Sequence, residues 1–192
     1  MQLVLASTSS FKSNVLKQAC IKHIKKDSNY IEVKQDNEDV YEYVKRLSLE
    51  KARSVDISDS IVLGLDTVVV VGNKILEKPE SIHEAKENLR LCSNNTFKVI
   101  TGIALINQMN NELVSDYQET FITLNKIDEC DIDYYIDNEP DTMYASGFIV
   151  ETIASNFIKK IDGSFYNILG VPVEKIYECL LSFNIHLKDL EK

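Results

Sequence analysis

The sequence has little of several features that mark common classes of protein. Basic residues are outnumbered by acidic ones, 21 to 30, and the formal net charge is -9, which argues against a surface for nucleic acid or an anionic membrane. The four cysteines, Cys20, Cys92, Cys130 and Cys179, are far apart and form no CxxC pair. This spacing excludes a typical zinc site or disulfide framework, and we expect four reduced cysteines in the core.

Long apolar runs and standard phosphate-binding loops are also lacking. No run could span a bilayer, and the opening MQLVLASTSS lacks the basic flank and apolar length of a signal peptide, so we expect a cytoplasmic protein. Neither a Walker lysine motif nor GxGxxG occurs. With 192 residues, 44% of them hydrophobic, the chain can bury one sizeable core, and we expect a single domain over residues 1–192.

The sequence mixes strand and helix patterns along its whole length. Strands are predicted at Leu3–Leu5, Phe97–Ile106 and Tyr117–Leu124, and helices after Ser10 and at about Asp39–Val55, Ser81–Leu91, Asp128–Asp137 and Pro172–Phe183. Gly147–Ile161 is ambiguous, with strand-like alternation at its start. This mixture indicates an α/β fold with a mixed β-sheet flanked by helices.

The most informative segment is Gly64–Pro79, GLDTVVVVGNKILEKP. The apolar run from Ile61 reaches the two-residue turn signal Gly72-Asn73, after which the chain can pair back as a β-hairpin. Asp66 interrupts the run, so it is either buried with a partner, placed at the mouth of a cleft, or a simple turn aspartate. Asp66 and Lys78 lie at the two ends of this hairpin and could face one site.

A lysine falls on the apolar face of the helix predicted at Asp39–Val55. Val40, Val44 and Leu47 mark this face, and a rotation of about 100° per residue puts Lys51 in its middle. An ammonium group there needs an anionic partner, which a phosphate or Asp66 could supply, unless the side chain reaches solvent at the edge of the face.

The turn before the first helix suits a phosphate group. Ser7-Thr8-Ser9-Ser10 offers backbone N–H groups, hydroxyl donors and the positive end of a helix dipole, and Lys12 adds a charge. Such a cluster can equally serve only as an N-cap. Taken together, the hydroxyl turn, three lysines and one carboxylate suggest a polyphosphate site with a metal ion, where Asp66 would bind the metal or orient water.

Several ordered motifs resemble the Maf family of nucleoside triphosphate pyrophosphatases, and the likeness covers nearly the whole chain. LASTSS before a helix is similar to the family's LASxSPRR, and YVKRLSLEKA is similar to YVxRLAxEKA. GLDTVVVVGNKILEKP resembles GADTVVxxxGxILGKP, and FKVITGIAL resembles HxVxTGVAL. Near the end, ASGFIVET and IDGSFYNILGVPVEKIYECL resemble AGxYxIQG and IxGSYxNVVGLPLxxLYxLL.

The resemblance implies a mixed α/β fold with two lobes around a central cleft, and frequent dimerisation. It also implies hydrolysis of a nucleoside triphosphate to the monophosphate and pyrophosphate with a divalent cation, Mg²⁺ or Mn²⁺. Such an enzyme would remove modified or unwanted nucleotides. By this resemblance the catalytic residue is Asp66, the substrate-binding residues are Ser7, Lys12, Lys51 and Lys78, and positions tied to substrate choice are Phe11, Thr67 and Glu151.

The chain departs from the family pattern at positions that bear on phosphate binding. Lys12 stands where the family usually has arginine, which removes a bidentate contact to phosphate, and Ser13 replaces a second basic residue. Further departures are Glu77, Phe97 and Tyr144. A non-catalytic nucleotide-binding regulator of cell division, acting in septum formation, is therefore the competing interpretation. Second metal ligands could be Asp36, Asp116, Glu119 or Glu139, each of which can also be a surface acid.

Two departures concern the base of the nucleotide. Phe11 and Glu151 resemble the family branch that acts on 7-methyl-GTP more than the branch that acts on dTTP and UTP. An aromatic ring can stack on a cationic methylated base, and a carboxylate can accept from N–H groups on a guanine edge. Phe11 could instead be a core residue, and Glu151 a surface acid.

Overall fold

The computed structural model describes residues 1–33, 35, 38–145 and 148–191. The strands are β1 (Gln2–Ala6), β2 (Ile24–Lys26), β3 (Ser60–Val71), β4 (Lys74–Leu76), β5 (Thr96–Asn107), β6 (Leu113–Leu124) and β7 (Ile158–Asp162). The helices are α1 (Ser10–Gln18), α2 (Val40–Arg53), α3 (Ile82–Cys92), α4 (Glu129–Asn138), α5 (Phe165–Ile168) and α6 (Val173–Ser182). The strands and longer helices predicted from the sequence are thus present, with small shifts at their ends.

The strands of the described ranges form one seven-stranded sheet. Its order is β2-β1-β3-β5-β6-β7, and β4 is added beside β3. β1 pairs in parallel with β2 and β3, whereas the pairs β3–β4 and β6–β7 are antiparallel. The mixed α/β sheet expected from the sequence is therefore confirmed.

The predicted hairpin is present with the predicted register. Val71 pairs with Lys74 and Val69 with Leu76, which leaves Gly72-Asn73 as the two-residue turn. Gly72 has a φ of +59°, a conformation that glycine adopts at no steric cost. The turn residues and the apolar run before them therefore both favour the β-hairpin.

The start of the ambiguous stretch Gly147–Ile161 does not form a strand. Gly147 itself lies outside the described residues, and the chain after it makes turns before the short 3-10 helix Ile153–Phe157. The backbone N–H of Ile149 donates to the Tyr135 hydroxyl at 2.8 Å, a side-chain partner that replaces a strand neighbour. The strand begins only at Ile158.

The cysteines are free, as expected, but two of them are not in the core. Cys92 and Cys179 are buried, and burial raises the pKa of the Cys92 thiol to about 12 and that of Cys179 to about 11. Cys20 and Cys130 are exposed, so the expectation that all four lie in the core is wrong. Cys20 follows α1 in a turn with a φ of +57°, and Cys130 lies on the outer face of the first turn of α4.

The chain divides into two compact units. The first unit comprises Met1–Thr67, Ile100–Gln118 and Tyr166–Lys192, and the second comprises Val68–Val99 and Glu119–Phe165. The chain passes from one unit to the other within β3, β5, β6 and α5. Two units agree with the expected two lobes, while the cleft between lobes and the single-domain organisation stay predictions.

None of the helices in the described ranges is long and apolar enough to cross a membrane.

In the first unit, α2 packs unusually close to β3 and β5. A Cβ built on Gly64 would lie 1.9 Å from the backbone oxygen of Ser48, and one built on Gly102 would lie 2.0 Å from that of Val44. Glycine is the residue that permits such an approach of two backbones. Because α2 carries Lys51 and β3 carries Asp66, this packing sets how close the two side chains lie.

We predict that Gly64→Ala lowers the free energy of unfolding by about 3 kcal/mol, because the added methyl group must push α2 away from β3. The matched control is Gly72→Ala, where a built Cβ meets no atom within 4 Å and only the positive φ opposes alanine. That control should cost about 1 kcal/mol. Urea denaturation followed by circular dichroism measures both losses, and equal losses would contradict the packing argument.

Candidate active site

Asp66 and Lys51 form a close ion pair in the first unit. The Lys51 Nζ atom lies 2.5 Å from Asp66 Oδ1, and Asp66 is only 7% exposed. Asp66 comes from a part of β3 in which successive residues are buried. Of the alternatives open from the sequence, a buried aspartate with a partner is the one observed, and the anionic partner expected for Lys51 is present.

A second carboxylate contacts the same ammonium group. Glu32 Oε1 lies 2.6 Å from Lys51 Nζ, so the lysine lies between two acids. Burial alone would lower the pKa of Lys51, but attraction and hydrogen bonds from Asp66 and Glu32 outweigh it and raise that pKa. Lys51 is therefore fully charged at neutral pH.

Sequence reasoning missed Glu32. It lies between β2 and α2, in a stretch with no hydrophobic periodicity, and its neighbours Ile31 and Val33 are both exposed. No local signal distinguished this acid from the many others of the chain. Only the tertiary structure brings it to Lys51.

Arg46 of α2 fixes the backbone beside Glu32. Its guanidinium donates to both oxygens of Glu38 at 2.6 Å, and also to the backbone oxygen of Val33 at 3.0 Å. The hydrogen bonds from Arg46 lower the pKa of the Glu38 carboxyl group. Bidentate arginine–carboxylate pairs have a defined geometry, so Arg46 restrains the residue that directly follows Glu32.

Lys12 lies beside the residue that precedes Asp66. Its Nζ atom donates to the backbone oxygen of Leu65 at 3.0 Å. Gly170, with a φ of +70°, lies beside this side chain; a Cβ there would approach Thr67 Oγ1 to 2.8 Å, whereas its distance of 3.5 Å from Lys12 Cε is an ordinary contact. The structure therefore brings Lys12, Lys51 and Asp66 to the same part of the first unit.

The serine turn before α1 caps the helix. Ser9 is the N-cap and accepts from the backbone N–H of Lys12 at 3.2 Å, while Ser7 Oγ accepts from the N–H of Ser9 at 3.1 Å. Lys25 Nζ donates to the Thr8 backbone oxygen at 3.3 Å and adds a positive charge that sequence reasoning did not include. Ser7 as a phosphate-binding residue stays a prediction.

The three positions tied to substrate choice differ in their surroundings. Phe11 is 46% exposed, so it is not a core residue. Thr67 Oγ1 lies 3.1 Å from the hydroxyl oxygen of buried Thr101, which holds the Thr67 side chain in place. Glu151 is exposed, although partial desolvation by its neighbours raises the pKa of its carboxyl group.

The predicted site residues are shared between the two units. Ser7, Phe11, Lys12, Lys51, Asp66 and Thr67 belong to the first unit, whereas Lys78 and Glu151 belong to the second. Lys78 is exposed in the loop after β4, next to buried Pro79. The roles of all these residues in binding and catalysis stay predictions.

Metal ligands are limited in the described ranges. No group of three or more His, Cys, Asp or Glu residues is gathered there as a metal site. Asp116 pairs with Lys175 at 2.8 Å and Glu119 with Lys98 at 3.4 Å, while Asp36 lies outside the described residues. Asp66 and Glu32, which share one cation already, are the pair of carboxylates whose chemistry suits a divalent ion.

Known proteins resemble this chain over most or nearly all of its length. A dTTP/UTP pyrophosphatase of Clostridium perfringens is 33% identical over 189 residues, which are 96% of this chain and 98% of the relative. One from Acholeplasma laidlawii is 31% identical, covering 95% and 97%. One from Bacillus cereus is 37% identical over 144 residues, 74% of each chain.

The family comparison agrees with these relatives. The enzyme class expected from the sequence, a nucleotide pyrophosphatase, is also the class that the relatives' names give. The model of the family described as Maf-like protein matches residues 2–183. This match spans both compact units and every predicted site residue, and the chain therefore belongs to the Maf family.

Proposed function

We propose that the protein hydrolyses a nucleoside triphosphate to the monophosphate and pyrophosphate. The observation that carries this proposal is the buried Asp66 carboxylate, paired with Lys51 in the first unit close to Lys12. Family membership and the names of the relatives support the same reaction. The removal of modified or unwanted nucleotides is the role that this chemistry serves.

The carboxylates of Asp66 and Glu32 would hold a divalent cation. Mg²⁺ and Mn²⁺ prefer hard oxygen ligands, and Mg²⁺ is commonly bound by one or two carboxylates together with substrate phosphates. Here both carboxylates contact one ammonium group, so an oxygen of each already lies beside one position for positive charge. A bound cation would supply Lewis-acid activation of the phosphates.

The protein's own groups divide the remaining work. Asp66 would orient a water molecule and accept its proton during attack on the α-phosphate. Lys12, Lys51 and Lys78 would neutralise the negative charge that grows on the phosphate oxygens and on the leaving pyrophosphate. Ser7 and the N-terminus of α1 would add hydrogen-bond donors to the same anion.

We predict that Asp66→Asn lowers pyrophosphate release by about 1,000-fold, because the amide cannot accept the proton of water. Asp162→Asn is the matched control, since Asp162 makes an exposed pair with Lys160 and has no assigned role. Release of pyrophosphate and orthophosphate should be scored separately with Mg²⁺ or Mn²⁺ present. Unchanged turnover of Asp66→Asn would contradict the proposal, and a wild-type protein that binds nucleotides without turnover would favour the regulator of septum formation.

We predict that Arg46→Gln lowers kcat/KM about tenfold, because the backbone next to Glu32 loses its restraint; partners that orient ligands typically have effects of this size. Arg53→Gln on the same helix is the control, since Arg53 makes an exposed pair with Glu50. Steady-state kinetics at several Mg²⁺ concentrations measure kcat/KM for both variants. If the two variants behave alike, Arg46 does not act through Glu32.

Two observations bear on which base the substrate carries, and they favour different nucleotides. The relatives' names favour dTTP and UTP. The exposed ring of Phe11 and the carboxylate of Glu151 favour 7-methyl-GTP, since they offer a stacking surface and a hydrogen-bond acceptor. We propose 7-methyl-GTP as the preferred substrate on the strength of these two side chains.

We predict that the double change Phe11→Arg and Glu151→Gln shifts the kcat/KM ratio of 7-methyl-GTP to UTP towards UTP by about tenfold. Arginine replaces the stacking ring, and glutamine offers both a donor and an acceptor to a pyrimidine. Phe121→Arg, at another exposed phenylalanine, is the control. A wild-type preference for dTTP or UTP that the double change leaves unaltered would contradict the assignment.

A further inference from the structure

The ammonium group of Lys51 occupies a position with the character of a metal site. It contacts one oxygen of Asp66 at 2.5 Å and one of Glu32 at 2.6 Å. The lysine side chain is only 15% exposed, and that of Asp66 only 10%. The two carboxylates and the ammonium group that they contact carry a net charge of about -1, with the Lys12 ammonium nearby on the backbone oxygen of Leu65. Because Asp66 is poorly solvated while Glu32 is half-exposed, attraction for a cation is strongest at Asp66.

The ammonium group and a divalent cation compete for the same two oxygens. A cation such as Mg²⁺ binds carboxylate oxygens at about 2.0–2.1 Å, a shorter distance than the present N···O contacts. An ion that binds both Asp66 and Glu32 would therefore lie where the Lys51 ammonium now lies. Two adjacent cations repel each other, so the arrival of one requires the departure of the other.

We propose that Lys51 is an exchangeable placeholder for the divalent cation, holding Asp66 and Glu32 together in the nucleotide-free protein and moving to the substrate phosphates when the metal binds. This inference rests on the proposed function for the identity of the anion that receives Lys51. Lysine suits the role, since its ammonium is a compact charge on a flexible stem. Glu32 is half-exposed and lies outside the helices and strands.

One consequence is coupling between metal and nucleotide. Without nucleotide, displacement of the ammonium group breaks its ion pairs with Asp66 and Glu32 and no phosphate replaces them, so the metal binds weakly. With nucleotide, the phosphates receive Lys51, and the metal gains the two carboxylates. By thermodynamic linkage, the metal then strengthens nucleotide binding by the same factor.

The test is Mn²⁺ binding to the nucleotide-free protein, measured by electron paramagnetic resonance titration. We expect Lys51→Met to bind Mn²⁺ at least about tenfold more tightly than the wild type, because the competing cation is gone while both carboxylates remain. Lys45→Met is the matched control, since Lys45 lies on the same helix and pairs with the exposed carboxylate of Glu42. It should change Mn²⁺ affinity by less than about threefold.

A second variant separates displacement from a general loss of positive charge. In Lys51→Met combined with Glu32→Gln, the gain in Mn²⁺ affinity should disappear, because one of the two ligands is lost. If Lys51→Met does not fold, Lys51→Gln replaces it, since its amide can still donate to one carboxylate. Mn²⁺ binding that is unchanged or weaker after removal of Lys51, or a gain equal to that of Lys45→Met, would overturn the proposal.

The measurement does not require turnover. Failure of the proposed function would be seen as the absence of pyrophosphate release from every nucleotide, whatever the Mn²⁺ affinities are. Failure of the placeholder role would be seen in the titrations, whatever the wild-type turnover is. The two results are therefore independent.

Discussion

The contact on which the site depends is the ion pair between Lys51 and Asp66, because neither charged group is stable in that place alone. A buried carboxylate without its partner costs several kcal/mol, as does a buried ammonium group. Each side chain therefore requires the other, and Glu32 adds a third charge from a loop. The first unit thus holds a charged cluster beside a largely apolar sheet. Because such a cluster is costly to bury, a role in function explains it better than a contribution to stability.

Several parts of the first unit help to hold that cluster. Asp39 caps α2 through its carboxylate, and Arg46 restrains the backbone after Glu32. The close approach of α2 to the sheet fixes the position of the Lys51 backbone. Helix, loop and strand each contribute one charged group. A site built in this way is sensitive to residues that never contact the substrate.

Much of this arrangement could be predicted from the sequence, where the signals are local. Periodicity placed Lys51 on the inner face of α2, and the turn signal Gly72-Asn73 gave the hairpin that follows Asp66. Contacts without a periodic signal could not be predicted. Glu32 and its backbone restraint by Arg46 depend on a loop whose path is set by tertiary contacts, and the exposed Cys20 depends on a left-handed turn.

Gly64 and Gly102 have a consequence for how the protein can vary over generations. Every other amino acid carries a Cβ, and the space at both positions is filled by the backbone of α2. No missense change there is conservative, however small the new side chain. The distance between Lys51 and Asp66 therefore depends on two residues that have no reactive group and no tolerated substitute. The charged residues themselves can be replaced by residues of similar size and charge.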